Sequence, residues 1–203
     1  TFVIITSPTT TYYTGEVNLI IEESFTRACK GGVGFAKAAG NYAATFYPTK
    51  LANAKGFQQV IWTDANEHRY IEECGTMNIW FRIGDKLITP ELSDSILSGV
   101  TRDSIITIAK DMDINVQEMK IAVDDILNAY NAGELKEVFG TGTAVSVSQI
   151  NSIVFRDIKM KFPKINDSCA LKLKQRIQSI QKGQTVDSYG WVTKVPASSF
   201  NVC

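Results

Sequence analysis

Residues 69–83, with the sequence RYIEECGTMNIWFRI, contain two apolar segments separated by a Gly-Thr pair. Residues 69–74 and 77–83 each combine β-branched and aromatic side chains over the length of a strand. The first segment ends close to two acidic residues, Glu72 and Glu73. The stretch therefore predicts two consecutive strands with an acidic pair near their junction.

The apolar periodicity on either side of this stretch predicts the remaining elements. Strands are predicted at residues 58–63, 114–120, 137–139 and 144–150, and helices at residues 41–55, 101–112, 123–132 and 168–182. The strands follow one another with helices between them and without a regular βαβ repeat. This order predicts an α+β domain with a mixed β-sheet.

Composition narrows the class of protein. Lys plus Arg and Asp plus Glu both total 21, so we expect no nucleic-acid partner and no membrane partner. The four cysteines are widely spaced and form no C-x-x-C pair, which predicts free thiols, a cytoplasmic location and no metal site. The only histidine, His68, falls in a turn-like stretch and is expected to be solvated. Mechanisms that need a Ser-His pair or a histidine-bound metal are therefore not expected.

The N-terminal residues predict a boundary between two domains. Residues 1–7 include an apolar run and are expected to be the last strand of a small domain that precedes this chain. The turn-rich residues 8–17 are expected to be a linker, and residues 18–203 the large domain.

One lysine lies among small residues before the first predicted helix, in Gly31-Gly32-Val33-Gly34-Phe35-Ala36-Lys37-Ala38-Ala39-Gly40-Asn41-Tyr42. Small neighbours let a planar ligand approach the backbone. A lysine amine in such a place can form a Schiff base with a carbonyl cofactor. The alternative is a solvated lysine in a glycine-rich turn.

Three further segments carry candidate binding groups. Strand alternation places Glu72 and Glu73 on opposite faces, so at most one faces a ligand, and a solvated edge strand is the alternative. In Leu97-Ser98-Gly99-Val100-Thr101-Arg102-Asp103, we predict Thr101 as the N-cap of a helix whose N-terminus can bind phosphate. Phe139-Gly140-Thr141-Gly142-Thr143-Ala144 predicts a turn that could bind phosphate or carboxylate. An ordinary capped helix and an ordinary turn are the alternatives.

In this order the four segments resemble those of the branched-chain amino acid aminotransferases of pyridoxal phosphate fold type IV. The resemblance covers residues 1–195. It implies a mixed, barrel-like sheet in a large domain that binds pyridoxal 5'-phosphate. It also implies amino-group transfer between Leu, Ile or Val and 2-oxoglutarate by a homodimer. D-amino acid aminotransferases and aminodeoxychorismate lyases share this fold and are alternatives, as is a non-catalytic module that binds phosphate ligands.

The resemblance also implies roles for individual residues around the cofactor ring. Lys37 would hold the cofactor covalently and transfer the proton at the substrate α-carbon. Tyr42 would hydrogen-bond the phenolic oxygen of the cofactor. Glu73 would pair with the pyridine nitrogen, and Glu72 would be its neighbour on the outer face.

The remaining implied roles concern the phosphate and the substrate. Gly99, Val100 and Thr101 would form the phosphate site through backbone N–H groups, and Thr76 and Thr143 would add hydroxyl groups. Thr143 and Ala144 would meet the substrate carboxylate.

We expect this chain by itself to fold partly or to associate, and to lack useful aminotransferase activity. An apolar strand without sheet partners invites pairing with other chains, and a substrate pocket open to water weakens the interactions that position ligands. Transamination of leucine with 2-oxoglutarate and size-exclusion chromatography test this. A monodisperse particle with turnover near that of full-length aminotransferases would contradict it.

Overall fold

Within the residues that the computed structural model describes, 3–5 and 15–194, ten strands form two five-stranded sheets and four helices pack against them. Along the chain the elements are β1 (Asn18–Ile21), α1 (Ala39–Ala54), β2 (Gln59–Thr63), β3 (Ile71–Cys74), β4 (Asn78–Ile83), β5 (Lys86–Thr89), α2 (Val100–Asp111), β6 (Asn115–Glu118), α3 (Val123–Asn131), β7 (Leu135–Gly142), β8 (Ser146–Gln149), β9 (Ser152–Phe155), β10 (Ile158–Lys161) and α4 (Cys169–Gln181).

The strand order is β10-β9-β1-β2-β3 in the first sheet and β6-β5-β4-β7-β8 in the second. Strand β1 runs parallel to both β2 and β9, and β5 runs parallel to β6, whereas the other neighbours are antiparallel. The predicted mixed α+β fold is therefore confirmed. The two sheets remain separate and do not close into a barrel.

The two sheets share an apolar core to which α3 contributes, and α1, α2 and α4 pack on the outer faces. Along β4, Ile79 and Phe81 belong to the apolar core that both sheets share, whereas Trp80 points outward into a second core with α2 and α4. Along β2, Ile61 lies in the shared core and Trp62 packs on the outer face towards α1. This alternation follows from the two-residue period of a strand. It explains why the β4 sequence is apolar on both faces.

The chain passes from one sheet to the other between β3 and β4. Gly75 has a φ of +56°, in the left-handed region that glycine adopts without steric cost. The backbone groups of Cys74 and Met77 bond each other across the reversal, with both N···O distances 2.9 Å. The two strands predicted from residues 69–83 thus exist, and their junction joins the two sheets.

Two of the glycine-containing segments differ from their predicted local structure. The glycine-rich segment at residues 139–144 continues β7 as far as Gly142, and a side chain at Gly140 would lie 2.8 Å from the Met77 sulfur. The glycine there permits close packing of a strand, and the turn follows at residues 143–145. Helix α2 begins one residue before Thr101, so its N-cap is Gly99.

Residues 3–5 are exposed and carry no strand assignment, and residues 1–2, 6–14 and 195–203 lie outside the described residues. The predicted domain boundaries stay a prediction.

His68 is half-buried rather than solvated, because its ring nitrogen contacts the Thr63 hydroxyl at 2.9 Å. No helix in the described ranges has the length and apolarity needed to cross a bilayer.

The buried carboxylate of Glu137 attaches α4 to the second sheet. It accepts hydrogen bonds from the Ser168 hydroxyl at 2.6 Å and from the Cys169 N–H at 2.8 Å, and it pairs with Arg82 at 2.9 Å. These donors include orphan groups at the helix N-terminus, which a helix cannot satisfy internally.

Replacing this carboxylate should destabilise the fold. We expect Glu137→Ala to lower the free energy of unfolding by about 3 kcal/mol, because several buried donors and a partly buried charge lose their acceptor. Asp167→Asn is the matched control, since the same arginine contacts this exposed carboxylate at 3.5 Å. The control should change stability much less, because water screens an ion pair of an exposed carboxylate. Equal effects in urea unfolding would contradict this assignment.

Candidate functional site

A cavity of about 180 Å³ opens beside the junction of the two sheets. The four sequence segments singled out above meet there, although they are far apart along the chain. The predicted site residues that line it are Lys37, Glu73, Thr76, Gly99, Val100, Thr101 and Thr143. The fold thus brings seven of the predicted residues into one place.

The glycine-rich loop holds Lys37 immediately before α1. The buried side-chain amide of Asn41 donates to the carbonyls of Val33 at 2.8 Å and Ala36 at 2.9 Å, which folds the loop back on the helix start. A Cβ on Gly34 would lie 2.6 Å from the Cα of Ser95, so only glycine allows the loop to approach the 93–97 segment this closely. These contacts fix the backbone from which the exposed Lys37 reaches the cavity.

Glu73 supplies a carboxylate that is only 3% exposed. One of its oxygens lies 3.1 Å from the Arg27 guanidinium and accepts the Leu97 N–H at 2.5 Å. Burial raises the pKa of Glu73 to about 7, and the charge of Arg27 and the Leu97 N–H oppose that rise. The site therefore contains an acid whose ionisation its neighbours control.

Glu72 faces away from this cavity, as strand alternation predicts. It accepts a hydrogen bond from the Ser95 hydroxyl and lines a separate cavity of about 430 Å³. Burial raises the pKa of Glu72 as well, and the bond from Ser95 opposes the change. Of the acidic pair, only Glu73 lies on the side where Lys37 and the N-terminus of α2 converge.

The N-terminus of α2 also lines the cavity. Its N-cap, Gly99, offers no side-chain acceptor to the first N–H groups of the helix. A Cβ on Gly99 would lie 2.2 Å from the Asn78 Oδ1 atom, and the Asn78 amide donates to the Leu97 carbonyl at 2.9 Å. The N–H groups of Val100 and Thr101 and the helix dipole therefore suit a phosphate group. Arg102 does not contribute, because it binds Glu118 on the far side at 2.7 Å.

The other predicted residues lie at or near the edges of this site. Tyr42 is half-buried and lines a small adjoining cavity together with Arg27, Glu73 and Thr76. Thr143 lies in the exposed turn between β7 and β8 and reaches the cavity lining. Ala144, in the same exposed turn, is outside that lining.

Sequence reasoning missed the residues that hold the predicted ones in place. Arg27, Asn41, Asn78 and Leu97 all contribute hydrogen bonds or charge to the site. A buried acid requires a cationic or N–H partner, so an arginine could have been anticipated. The sequence alone gives no means of choosing Arg27 among the basic residues.

The donor set suits a planar phosphate ester that carries a reactive carbonyl. A primary amine, a buried carboxylate and an uncapped helix N-terminus line one cavity, and Gly99 keeps the phosphate end free of a side chain. In the residues described, no group of three or more His, Cys, Asp or Glu side chains is placed to hold a metal ion.

Comparison with known proteins gives a family match. The family model described as amino-transferase class IV matches residues 8–153. The chain is 43% identical over 201 residues to branched-chain-amino-acid aminotransferase 2 of Bacillus subtilis, with 96% of this chain and 54% of that protein covered. It is 42% identical over 201 residues to a probable branched-chain-amino-acid aminotransferase of Staphylococcus aureus, with coverages of 95% and 55%. The chain thus spans about half the length of these curated relatives.

Solved structures show the same fold. The branched-chain amino acid aminotransferase from Escherichia coli superposes with a TM-score of 0.73 at 28% identity, over 87% of this chain and 56% of that chain. The branched-chain amino acid aminotransferase from the archaeon Thermoproteus uzoniensis, crystallised with norvaline, has a TM-score of 0.74 at 26% identity, with coverages of 88% and 56%.

The glycine at the phosphate end should be sensitive to a single added methyl group. We expect Gly99→Ala to weaken the binding of pyridoxal phosphate at least about tenfold, because the new Cβ must displace Asn78 and with it the start of α2. Gly40→Ala is the control, since nothing lies within 4 Å of a Cβ at that position. Absorbance titration measures both affinities, and unaltered binding by Gly99→Ala would show that this helix N-terminus is not the phosphate site.

Proposed function

The chain belongs to the class IV aminotransferase family, and on that premise we propose that it forms the cofactor-binding part of a branched-chain amino acid aminotransferase. The reaction would transfer the amino group between Leu, Ile or Val and 2-oxoglutarate. The observation that carries the proposal is the convergence of Lys37, Glu73 and the uncapped N-terminus of α2 on one cavity. Each is the kind of group that binding and activating pyridoxal phosphate requires.

The identity of the substrate is supported by the relatives. The similar proteins from Bacillus subtilis and Staphylococcus aureus carry the names of branched-chain aminotransferases, at 42–43% identity over nearly the whole of this chain. Neither name favours a D-amino acid aminotransferase, an aminodeoxychorismate lyase or a non-catalytic module. Leu, Ile and Val are therefore the substrates that we propose.

When bound, pyridoxal phosphate would supply an electron sink that stabilises negative charge at the substrate α-carbon. Lys37 would attach the cofactor and then carry the proton to and from that carbon. Glu73 would keep a positive charge on the pyridine nitrogen, because a buried anion stabilises a cation beside it. Tyr42 would donate a hydrogen bond to the phenolic oxygen.

The phosphate and the substrate carboxylate would be held by backbone and hydroxyl groups. Gly99, Val100 and Thr101 would bind the phosphate at the N-terminus of α2, with the Thr76 and Thr143 hydroxyls beside them. The turn that contains Thr143 and Ala144 would meet the substrate carboxylate. The exposure of this turn is consistent with a group that contacts a ligand entering from outside.

We further propose that the protein acts as a homodimer in the cytoplasm, without nucleic-acid or membrane partners. Large apolar side chains are exposed in the glycine-rich loop, in α1 and at the start of α2, namely Val33, Phe35, Phe46, Tyr47 and Val100. Exposed apolar groups in a cluster are typical of surfaces covered by another chain or domain. Cys29, Cys74 and Cys169 are free thiols, which fits a reducing compartment.

Lys37 should be the lysine that carries the cofactor. After borohydride reduction of the protein with pyridoxal phosphate and proteolytic digestion, the pyridoxyl group should be found on the peptide that contains Lys37. Lys50 and Lys55 are internal controls, because neither lines the cavity. Mass spectrometry locates the label, and its presence only on one of these other lysines would overturn the assignment.

Substitution of Glu73 should lower the rate of the reaction much more than it weakens retention of the cofactor. In the complete enzyme we expect Glu73→Gln to lower kcat by about 10²–10³-fold, since loss of an electrostatic partner at the reacting centre is worth about 3–4 kcal/mol. Glu72→Gln is the matched control on the same strand and should retain most activity. If Glu72→Gln lowers kcat strongly and Glu73→Gln leaves it nearly normal, the acid assigned to the pyridine nitrogen is wrong.

A further inference from the structure

Arg27 is buried among three segments of the site and belongs to none of the motifs that identified them. It is 7% exposed, and its Nη2 atom lies 3.1 Å from the Glu73 carboxylate. The same nitrogen donates to the Gly34 carbonyl at 3.0 Å and to the Ser95 carbonyl. One guanidinium therefore joins the glycine-rich loop, the acidic strand and the 93–97 segment.

The charges around Glu73 leave Arg27 as its direct counterion. Glu72, on the same strand, repels the Glu73 charge, and Lys37 lines the same cavity as Glu73. From the 93–97 segment Glu73 receives the Leu97 N–H, which is neutral. Among the described residues, Arg27 is the one cation within salt-bridge distance of Glu73.

The balance of these effects makes the ionisation of Glu73 depend on Arg27. Burial disfavours the anion and raises the pKa of Glu73 to about 7, even though Arg27 pulls it down. Removing the guanidinium would leave burial and the repulsion from Glu72 opposed only by the Leu97 N–H. The pKa of Glu73 would then rise further, so that less of the carboxylate would be ionised at neutral pH.

We propose that Arg27 is a positioning residue that holds Glu73 as an anion against the cavity, so that Glu73 can pair with a protonated ring nitrogen of the cofactor. This inference rests on the proposed function, in which Glu73 faces that nitrogen. Arg27 itself contacts neither substrate nor reacting atoms and acts through Glu73.

A purely structural role would have a different signature. If Arg27 only ties the loops together through Gly34 and Ser95, its loss should harm the site whether or not Glu73 can ionise. If it acts through the charge of Glu73, its loss should matter only while residue 73 is an acid. The two roles can therefore be separated by combining substitutions at the two positions.

The first measurement is the pH dependence of pyridoxal phosphate binding to the complete, cofactor-free protein. The part of this dependence that disappears in Glu73→Gln reports the ionisation of Glu73. We expect the midpoint of this part to rise by at least about one pH unit in Arg27→Met, because loss of the neighbouring positive charge disfavours the Glu73 anion. One pH unit corresponds to a tenfold change in proton affinity. Arg27→Lys restores a cation and should return the midpoint towards the original value. An unchanged midpoint in Arg27→Met would overturn the proposal.

The second measurement is a double-substitution cycle on kcat at neutral pH. Arg27→Met should reduce kcat at least about tenfold when Glu73 is present and by less than about twofold in the Glu73→Gln background. Equal losses in both backgrounds would assign Arg27 a structural role only. The double variant buries no unpaired charge, so it remains a usable test if Arg27→Met alone folds poorly.

Arg82→Met provides the matched control. Arg82 pairs with another buried carboxylate, Glu137, at 2.9 Å and lies away from the cavity. It should leave the binding midpoint unchanged while lowering stability. If Glu73→Gln itself has no effect on kcat, the role proposed for Glu73 fails, and with it the premise of this inference. If Glu73→Gln lowers kcat strongly and Arg27→Met does not, only this inference fails.

Discussion

A carboxylate that folding removes from water must find positive charge and N–H groups inside the protein, and the geometry around Glu73 follows from that requirement. Without partners, a buried anion costs several kcal/mol. Arg27 and the Leu97 N–H meet the need, and each belongs to a different loop. Satisfying one acid therefore draws together the segment before α1, the strand β3 and the segment that leads into α2.

The two-sheet architecture determines where this acid lies. The chain leaves the first sheet at Cys74 and enters the second at Asn78, with a reversal at Gly75. Glu73 is consequently next to the junction, where the sheets part and leave room for a cavity. Close packing around the junction limits substitution: a Cβ at Gly99 would collide with Asn78, and a Cβ at Gly140 would collide with Met77. The site combines a tightly packed frame with a few exposed groups, Lys37, Thr76 and Thr143 among them.

Elements with strong local patterns were predictable, whereas four short strands were not. Helices α2, α3 and α4 and strands β2, β3 and β4 lie within a few residues of their predicted bounds, because their apolar faces and glycine stops are local signals. Strands β1, β5, β9 and β10 were not predicted, although the equally short β3, β6 and β8 lie inside predicted strands of six or seven residues. The residues 140–142 were misjudged for another reason. Glycine favours turns in isolation, but here it admits the Met77 side chain beside a strand.

The sequence by itself determined the family, the α+β class and which residue types would form the site, because the motifs and their order are properties of the chain. It also showed by strand alternation that Glu72 and Glu73 must face opposite sides. Tertiary structure alone decided which of them meets Arg27, that Gly99 rather than Thr101 caps α2, and that Ala144 lies outside the cavity lining. These outcomes depend on contacts between residues distant in sequence, and burial and electrostatic pairing exist only once the chain has folded.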